Sequence, residues 1–233
     1  MRKFLTARWQ DLIMVNYDVD PKVLANLIPR GTELDFDEGR CFVSVVGFMF
    51  MNTRVMHIPI PFHVSFEEVN LRFYVKRRTE DEIRRGVVFI KEIVPRYAIA
   101  AIARAFYGEP YEACRMGHTK NESEISYSWQ KGGYSNRLMV EIGKNLGVPA
   151  ADSHGEFIIE HYWGYTKRKG CQTDEYKVEH PKWEVFAVNN SIINVDFEHV
   201  YGKRFAFLKD QKPYSLLLAK GSEIAVYKGE KIS

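Results

Sequence analysis

The chain has little of several features that mark particular classes of protein. Of its 233 residues only three are cysteine, and 33 basic residues are balanced by 30 acidic ones, for a net charge of +3. So balanced a charge does not indicate a nucleic-acid or membrane-surface partner. No apolar run approaches the roughly 20 residues that span a bilayer, and the N-terminal residues do not resemble a signal peptide. We therefore expect a cytoplasmic protein with reduced thiols and no membrane partner.

The motifs of the common cofactor and nucleophile chemistries are also missing. Neither standard glycine-rich phosphate loop is present, so nucleotide hydrolysis and dinucleotide binding have no support. The seven histidines never stand at i, i+4 spacing with a glutamate, nor beside a Cys-x-x-Cys pair. No Gly-x-Ser-x-Gly elbow appears. We expect neither a metal nor a cofactor.

What the sequence does contain is a series of short strands with a few helices. No linker, repeat or low-complexity tract divides residues 1–233, which predicts a single domain. Because short turns join most successive strands, we expect a mainly β (α+β) fold, an antiparallel closed barrel-like sheet with two or three outer helices. The predicted strands are 41–50, 66–76, 87–94, 122–130, 137–143, 161–166, 175–180, 185–195 and a terminal hairpin of 216–219 with 224–227. The predicted helices are a short one opened by Asp20 and Pro21, a longer one from Pro95 to Gly108, and one over 153–160.

The strand 66–76 alternates cleanly between polar and apolar side chains. One face carries Glu68, Asn70, Arg72 and Tyr74, and the other face is apolar. In a closed barrel one face of each strand looks inward, and the other meets helices or solvent. The polar face therefore lies either on the wet exterior or along an enclosed space.

The returning strand, 87–94, sets Lys91 beside Glu92 inside an apolar run. Because successive residues face opposite sides, one of the two is buried or lines a cavity if both faces are covered. A buried carboxylate there must pair with a cation such as Arg72, Arg96 or Lys91, or stay protonated. Carboxylate, guanidinium and amide groups in one enclosed space form an acid/base site or an anion pocket, whereas a structural ion-pair network uses the same residues.

Two other segments are unusual in composition. His161, Trp163 and Tyr165 share one face of a predicted strand, either as core residues or as pocket lining with a titratable imidazole. The segment 54–66 carries apolar residues without periodicity, among them Met56. It is either a lid over a cavity, a contact for a partner, or a loop packed on its own core.

Six short motifs stand in order between residues 8 and 197. They are Leu34-Asp35, the Phe-Val-Ser-Val-Val-Gly-Phe run from Phe42, Glu68-Val69-Asn70-Leu71-Arg72, Gly86-Val87-Val88-Phe89, Glu109-Pro110-Tyr111 and His180-Pro181-Lys182-Trp183. Together they resemble the YqjF-like proteins, an uncharacterised family (domain of unknown function 2071) related to acetoacetate decarboxylase. The resemblance implies an antiparallel barrel with a largely enclosed central cavity and a few outer helices.

The resemblance breaks at the residues that carry the decarboxylase chemistry. Acetoacetate decarboxylases form a Schiff base on a lysine of a Lys-Lys pair that follows a proline. Here Tyr111 and Glu112 follow Pro110, and neither a phenol nor a carboxylate forms an imine. A Schiff-base decarboxylase is therefore not expected. Glu68 is implied to be the family's pocket glutamate, and Lys91 is the only lysine in a nearby apolar strand.

Three functions remain open at this point. The first is a barrel that binds a small anionic or carbonyl-bearing molecule; the second is an enzyme that uses Glu68 or Glu92 as acid or base. The third is a partner-binding protein that uses 54–66 beside a vestigial cavity, and a homo-oligomer is left open. The candidate ligand-binding residues are Asn70, Arg72, Tyr74, Lys91, Arg96, Tyr111, His161 and Tyr165.

Overall fold

A computed structural model describes residues 2–59, 64–97, 108–168 and 172–232. Its strands form one sheet. The strands are β1 (Lys3–Asp18), β2 (Glu33–Leu34), β3 (Phe42–Val55), β4 (Ile58–Pro59), β5 (Phe66–Arg78), β6 (Ile83–Val94), β7 (Tyr111–Ala113), β8 (Arg115–Lys120), β9 (Glu124–Lys131), β10 (Tyr134–Gly147), β11 (Trp163–Lys167), β12 (Thr173–Glu179), β13 (Val185–Asn194), β14 (Ser215–Tyr227) and β15 (Glu230–Lys231). The helices are α1 (His154–Ile159) and α2 (Phe197–Tyr201), with 3-10 turns at Pro21–Val23, Ala25–Leu27 and Lys203–Lys209.

Seven of these strands close into a barrel. They follow one another in the order β12, β11, β6, β5, β3, β1 and β14. The ring closes where β14 pairs with β12, with Val226 opposite Val178. Closure leaves each of these strands with one face toward the barrel interior. The mainly β, barrel-like fold predicted from the sequence is confirmed.

The sheet is mixed, however, and not purely antiparallel as expected. β11 pairs with β6 in parallel, and so does β7. A parallel neighbour needs a long crossover, which the stretch of chain between Val94 and Trp163 supplies for β11. Short turns correctly predict antiparallel pairing for strands that follow each other in sequence. They do not predict the pairing of β7 and β11, which join the sheet after longer connections.

A second layer covers the outside of the barrel. β14 also pairs with β13, from which the sheet continues through β10 and β9 to β8. Side chains of this layer, among them Tyr127 and Leu138, pack with Val45 and Leu71 from the outer face of the barrel. The outer face of β5 is therefore a conventional apolar core, and its polar face is left for the interior.

The predicted C-terminal hairpin is wrong. Ser215–Tyr227 is one continuous strand, and its Gly221 adopts a positive φ of 76°. A β-carbon at this position would collide with the Trp9 carbonyl. The glycine therefore marks a bend where two strands approach closely, and not a chain reversal. The strand that pairs with Ser215–Tyr227 is β1 (Lys3–Asp18). The sequence pattern predicts no strand or helix for that stretch.

The helix predictions fare unevenly. The helix over 153–160 is confirmed as α1, and the Ser153 side chain accepts a hydrogen bond from the Glu156 N–H. Asp20 caps the 3-10 turn Pro21–Val23, and a second 3-10 turn, Ala25–Leu27, follows it in place of the expected α-helix. Most of the helix predicted after Pro95 lies outside the described residues, while α2 was not predicted. Within the described part of the chain, no helix has both the length and the apolar character to cross a bilayer.

Candidate functional site

A cavity of about 130 Å³ lies inside the barrel, with walls from all seven ring strands. Such a volume holds on the order of ten water molecules, or an organic molecule of similar bulk. Most of the wall is apolar, and the polar lining is concentrated in a few residues. The apolar lining includes Trp9, Leu12, Phe48, Phe50, Phe66, Phe89, Tyr176 and Trp183. The polar lining includes Glu68, Asn70, Arg72, Glu92, Glu109, Tyr111 and His161.

The inner face of β5 supplies three of the polar groups. Glu68, Asn70 and Arg72 alternate with buried apolar residues that face the outer layer, as strand geometry requires. The Asn70 side-chain amide donates a hydrogen bond of 3.0 Å to Glu68 Oε1. The alternation of β5 left open which side its polar face takes, and the structure places that face on the inside of the barrel, along the cavity.

A β-bulge turns Glu92 toward the cavity. Leu71 of β5 pairs with Lys91, but its neighbour Arg72 pairs with Phe89, which leaves Ile90 as an extra residue in β6. The bulge changes the parity of the strand, so that Phe89 and Glu92 both line the cavity. Lys91 is turned away from it.

Two further groups come from the segment that leads into β7. Tyr111 lies beside Glu92 in the parallel pairing of β7 with β6, and its hydroxyl donates to Glu68 Oε2 at 3.2 Å. Glu109 is buried, and it accepts a hydrogen bond from the Tyr176 hydroxyl. Sequence reasoning used Glu109 only as part of a motif and did not propose it as a site residue.

The three glutamates bind protons unusually tightly. Burial raises the pKa of Glu68 to about 7, against the opposing effects of its hydrogen bonds and of Arg72. Burial raises the pKa of Glu109 to about 8. Burial, reinforced by the charges of Glu109 and Glu68, raises the pKa of Glu92 well above its usual value. Oε2 of Glu92 is buried and has no hydrogen-bond partner among the described residues. The expected ion pair of Glu92 is absent from that part of the chain, and the pKa of the carboxyl group is raised instead.

Arg72 is the cation of this cluster. Its Nη2 donates to the Ile158 carbonyl at 3.2 Å, and the guanidinium carbon lies 5.6 Å from the centre of the Tyr74 ring. Its Nε is buried and has no partner among the described residues. Because a guanidinium stays charged in proteins, Arg72 carries a permanent positive charge, and its Nε–H is an unused hydrogen-bond donor among the described residues.

His161 adds a neutral imidazole to the polar lining. Its Nε2 lies 3.3 Å from Asp35 Oδ2, and Asp35 is also held by Arg85 at 2.6 Å and Lys76 at 3.3 Å. Burial lowers the pKa of His161 to about 4, although the bond to Asp35 opposes this. With Nε2–H donating to the carboxylate, Nδ1 carries a lone pair. Among the described residues it has no partner.

Four residues proposed as ligand contacts lie outside the cavity wall. Tyr74 lies behind Arg72, with its hydroxyl 2.6 Å from Ser44 Oγ. Lys91 pairs with Glu112 at 3.1 Å on the other side of β6, because the bulge reverses which neighbour faces inward. Arg96 follows the end of β6 and is exposed.

The fourth is Tyr165. β11 begins only at Trp163, so His161 precedes the strand and the expected common face with Tyr165 does not form. The Tyr165 hydroxyl donates to the Arg84 carbonyl at 3.3 Å, and its ring covers Gly86. Tyr165 is therefore a core residue.

A second polar cluster lies outside the cavity wall. His154 bridges Asp37 (Nδ1 to Oδ2, 2.6 Å) and Ser215 (Nε2 to Oγ, 2.7 Å), the order of a hydrolase triad. Ser215 Oγ also accepts from the Asn16 side chain at 2.9 Å. His154 opens α1, the helix that presents the Ile158 carbonyl to Arg72. These bonds fix the position of that helix.

Among the described residues, no group of three histidine, cysteine, aspartate or glutamate side chains is arranged to hold a metal ion.

Several solved structures share the fold. An acetoacetate decarboxylase from Legionella pneumophila superposes with a TM-score of 0.68 at 11% identity, over 99% of this chain and 87% of that one. The enduracididine biosynthesis enzyme MppR with HEPES buffer bound gives 0.69 at 12% identity, over 100% and 89%. An acetoacetate decarboxylase-like enzyme from Sphingomonas wittichii RW1 gives 0.65 at 13% identity, over 100% and 94%. At such identities the likeness is one of fold.

The sequence comparisons identify the family. The uncharacterized protein YqjF of Bacillus subtilis (strain 168) is 32% identical over 162 residues, which are 68% of this chain and 65% of that protein's own length. The model of DUF2071, described as an uncharacterized conserved protein, matches residues 6–223. The predicted resemblance is confirmed, and the chain belongs to the DUF2071 family.

Proposed function

We propose that the barrel binds a small, mostly apolar molecule through one carboxylate or carbonyl group. The observation that carries this proposal is the half-buried guanidinium of Arg72 in the cavity wall, whose Nε lacks an acceptor among the described residues. Burial raises the pKa of its neighbours Glu68 and Glu92, so these carboxyl groups neutralise the guanidinium less than ordinary carboxylates do. An oxygen atom with negative charge or high polarity completes such a site.

Imine chemistry does not belong to this proposal. None of the described residues that line the cavity is a lysine. Tyr111 stands at the position of the family lysine, and its hydroxyl is bonded to Glu68. Two of the structural neighbours support a carbonyl-bearing ligand: one is named acetoacetate decarboxylase, and MppR has been solved in complex with pyruvate.

Binding is tested with 4-phenylbutanoate by calorimetry at pH 7. The Arg72→Met variant is expected to bind about 100-fold more weakly, because a buried charge pair is lost. Arg78→Met removes an exposed arginine paired with Glu33, and it should leave the affinity unchanged. Circular dichroism shows whether Arg72→Met folds, and Arg72→Lys keeps the charge and should retain part of the affinity. Equal binding by wild type and both Arg72 variants contradicts the proposal.

Acid/base catalysis on the bound molecule is the second candidate, and the pKa of Glu68 is the reason. A carboxyl group with a pKa of about 7 accepts and returns protons most effectively near neutral pH. Tyr111 donates to one oxygen of Glu68 and Asn70 to the other, which fixes the group beside the cavity.

Proton transfer is tested by the exchange of the α-hydrogens of 4-phenyl-2-butanone in D2O, followed by NMR. Wild type is expected to accelerate the exchange, and Glu68→Gln to lower the rate by on the order of 10²–10⁴ while ligand binding persists. Glu112→Gln changes a carboxylate outside the cavity, so its rate should equal that of wild type. No acceleration by wild type leaves binding alone as the function.

A further inference from the structure

The hydrogen-bonded row of Asp37, His154 and Ser215 contains the three groups of a nucleophilic triad in the required order. Asp37 Oδ2 lies 2.6 Å from His154 Nδ1, and His154 Nε2 lies 2.7 Å from Ser215 Oγ. Both distances are those at which a carboxylate orients an imidazole and an imidazole takes a proton from a hydroxyl. Triads occur on unrelated folds and are recognised by geometry, so the lack of a Gly-x-Ser-x-Gly elbow does not exclude one.

The neighbours of the row determine where its protons lie. A neutral imidazole carries one proton, and the carboxylate of Asp37 beside Nδ1 accepts it, so that Nε2 of His154 is left as an acceptor. The Asn16 side-chain amide donates to Ser215 Oγ at 2.9 Å, and its Oδ1 accepts from the Ser44 hydroxyl at 2.6 Å. The single proton of the Ser215 hydroxyl is therefore free to point at Nε2. This is the tautomer in which a histidine activates a serine.

The row is shielded at its carboxylate and more open toward its histidine. The side chain of Asp37 is 14% exposed and that of His154 22% exposed, while Ser215 is half-buried. The neighbouring Tyr214 is exposed, with its ring centre 5.1 Å from that of His154, and the Arg40 guanidinium lies 5.0 Å from the Tyr214 ring centre. An exposed aromatic ring beside a nucleophile suits a substrate with a flat aromatic group.

We propose that this row is a second site, outside the cavity wall, which hydrolyses small aryl esters. Ser215 Oγ attacks the ester carbonyl carbon while its proton passes to His154 Nε2. The bond to the aryloxide then breaks, the aryloxide takes that proton, and the acyl group stays on Ser215. A water molecule gives a proton to the same nitrogen and attacks the acyl carbon, which releases the carboxylic acid and returns the proton to the serine oxygen. The ester and one water are the only reactants, and the site does not depend on the proposed function of the cavity.

Two neighbours support these steps. Asp37 stays ionised and stabilises the imidazolium that forms when His154 takes the proton, so it is a positioning residue, whereas His154 and Ser215 are catalytic. The Asn16 amide lies beside the point of attack. A hydrogen-bond donor in this place stabilises the negative charge that develops on the carbonyl oxygen.

The hydrolysis of phenyl acetate, followed by the release of phenol, tests the activity. Wild type is expected to hydrolyse it, and Ser215→Ala and His154→Gln are each expected to lower kcat/KM by about 10²-fold or more. Asp37→Asn keeps the shape of the side chain but not its charge. It should lower kcat by a similar factor and leave KM unchanged, a split that a loosened fold would not produce.

A fluorophosphonate probe tests the nucleophile itself. The probe bonds through phosphorus to an activated serine with loss of fluoride, and mass spectrometry of the digested protein should locate it on Ser215. Labelling uses wild type alone, so it decides the question even if a variant does not fold. Circular dichroism shows which variants fold.

Ser222→Ala is the matched control on the same strand. Ser222 Oγ accepts from Trp183 Nε1 at 2.8 Å and donates to the Glu223 carbonyl at 2.9 Å, so its bonds involve no imidazole. Its rate with phenyl acetate should equal that of wild type, and Ser222 should not be labelled. A wild-type rate no higher than that of Ser215→Ala, or a probe that leaves Ser215 unlabelled, overturns the inference and leaves the row as an anchor of α1 only.

Discussion

Two buried carboxylates on opposite sides of the barrel wall show how differently this protein treats the same group. Glu175 and Glu92 are each 1% exposed. Glu175 accepts hydrogen bonds from Arg77 at 3.0 Å and from Arg84 at 2.6 Å. Glu92 instead has a buried oxygen without a partner among the described residues, and a raised pKa.

The difference separates an ion-paired carboxylate from a buried carboxyl group that has a raised pKa and an oxygen without a partner among the described residues. At Glu175 two arginines balance the charge of a buried carboxylate. The protein can therefore pair a buried carboxylate with cations, and Glu92 is a site where it does not do so among the described residues. Burial without compensation is destabilising, and such groups cluster at functional sites. The comparison therefore favours a chemical role over the ion-pair network that the sequence left as an alternative.

Replacing Glu175 should have the largest effect on stability. Glu175→Gln leaves two arginines without their counter-charge and is expected to lower the free energy of unfolding by about 3 kcal/mol. Part of the penalty is relieved because both arginine side chains are 25% exposed. Urea denaturation at pH 7 measures it. An unchanged denaturation midpoint would show that the ion pairs of Glu175 do not stabilise the fold. Glu175 could then no longer serve as the structural carboxylate with which Glu92 is compared.

Glu68→Gln should have an effect of opposite sign, and one that depends on pH. Folding raises the pKa of Glu68 from 4.5 to about 7, so the folded state binds more protons than the unfolded state across this window. Stability is therefore lost as the pH rises from 4.5 to 7. The variant, which cannot ionise, is expected to match wild type near pH 4 and to be about 3 kcal/mol more stable at pH 8. Thermal unfolding at the two pH values measures this, and a variant less stable than wild type at pH 8 contradicts it.

Much of the architecture was accessible from the sequence because it depends on local alternation. The period-two pattern around Glu68 placed the polar face of β5 correctly on one side of the strand, and the ordered motifs predicted the family. That this face lies inside the barrel depends on tertiary structure. The barrel closes where β12 pairs with β14, and the pairing residues lie far apart in the chain.

The rest of the site depends on features that leave no local signal. The bulge at Ile90 determines that Glu92, and not Lys91, faces the cavity. The sequence alternation alone is compatible with either residue facing inward. Glu109 becomes a site residue because Tyr176 of a distant strand reaches it. Glycine is common in turns, and the hairpin prediction took Gly221 for a turn residue. In the structure Gly221 instead allows two strands to approach closely.

The central claim is that a protonated carboxyl cluster and Arg72 together hold an anionic or carbonyl group. Its most direct test is the affinity of wild type for 4-phenylbutanoate as a function of pH, since this acid stays ionised from pH 6 to 8. An anion beside Glu68 favours its protonated form, whose pKa is about 7 in the free protein. Binding should therefore take up a proton, and the affinity should fall about tenfold per pH unit above 7 and level off below it. An affinity that is constant over this range, or that rises with pH, would contradict the account.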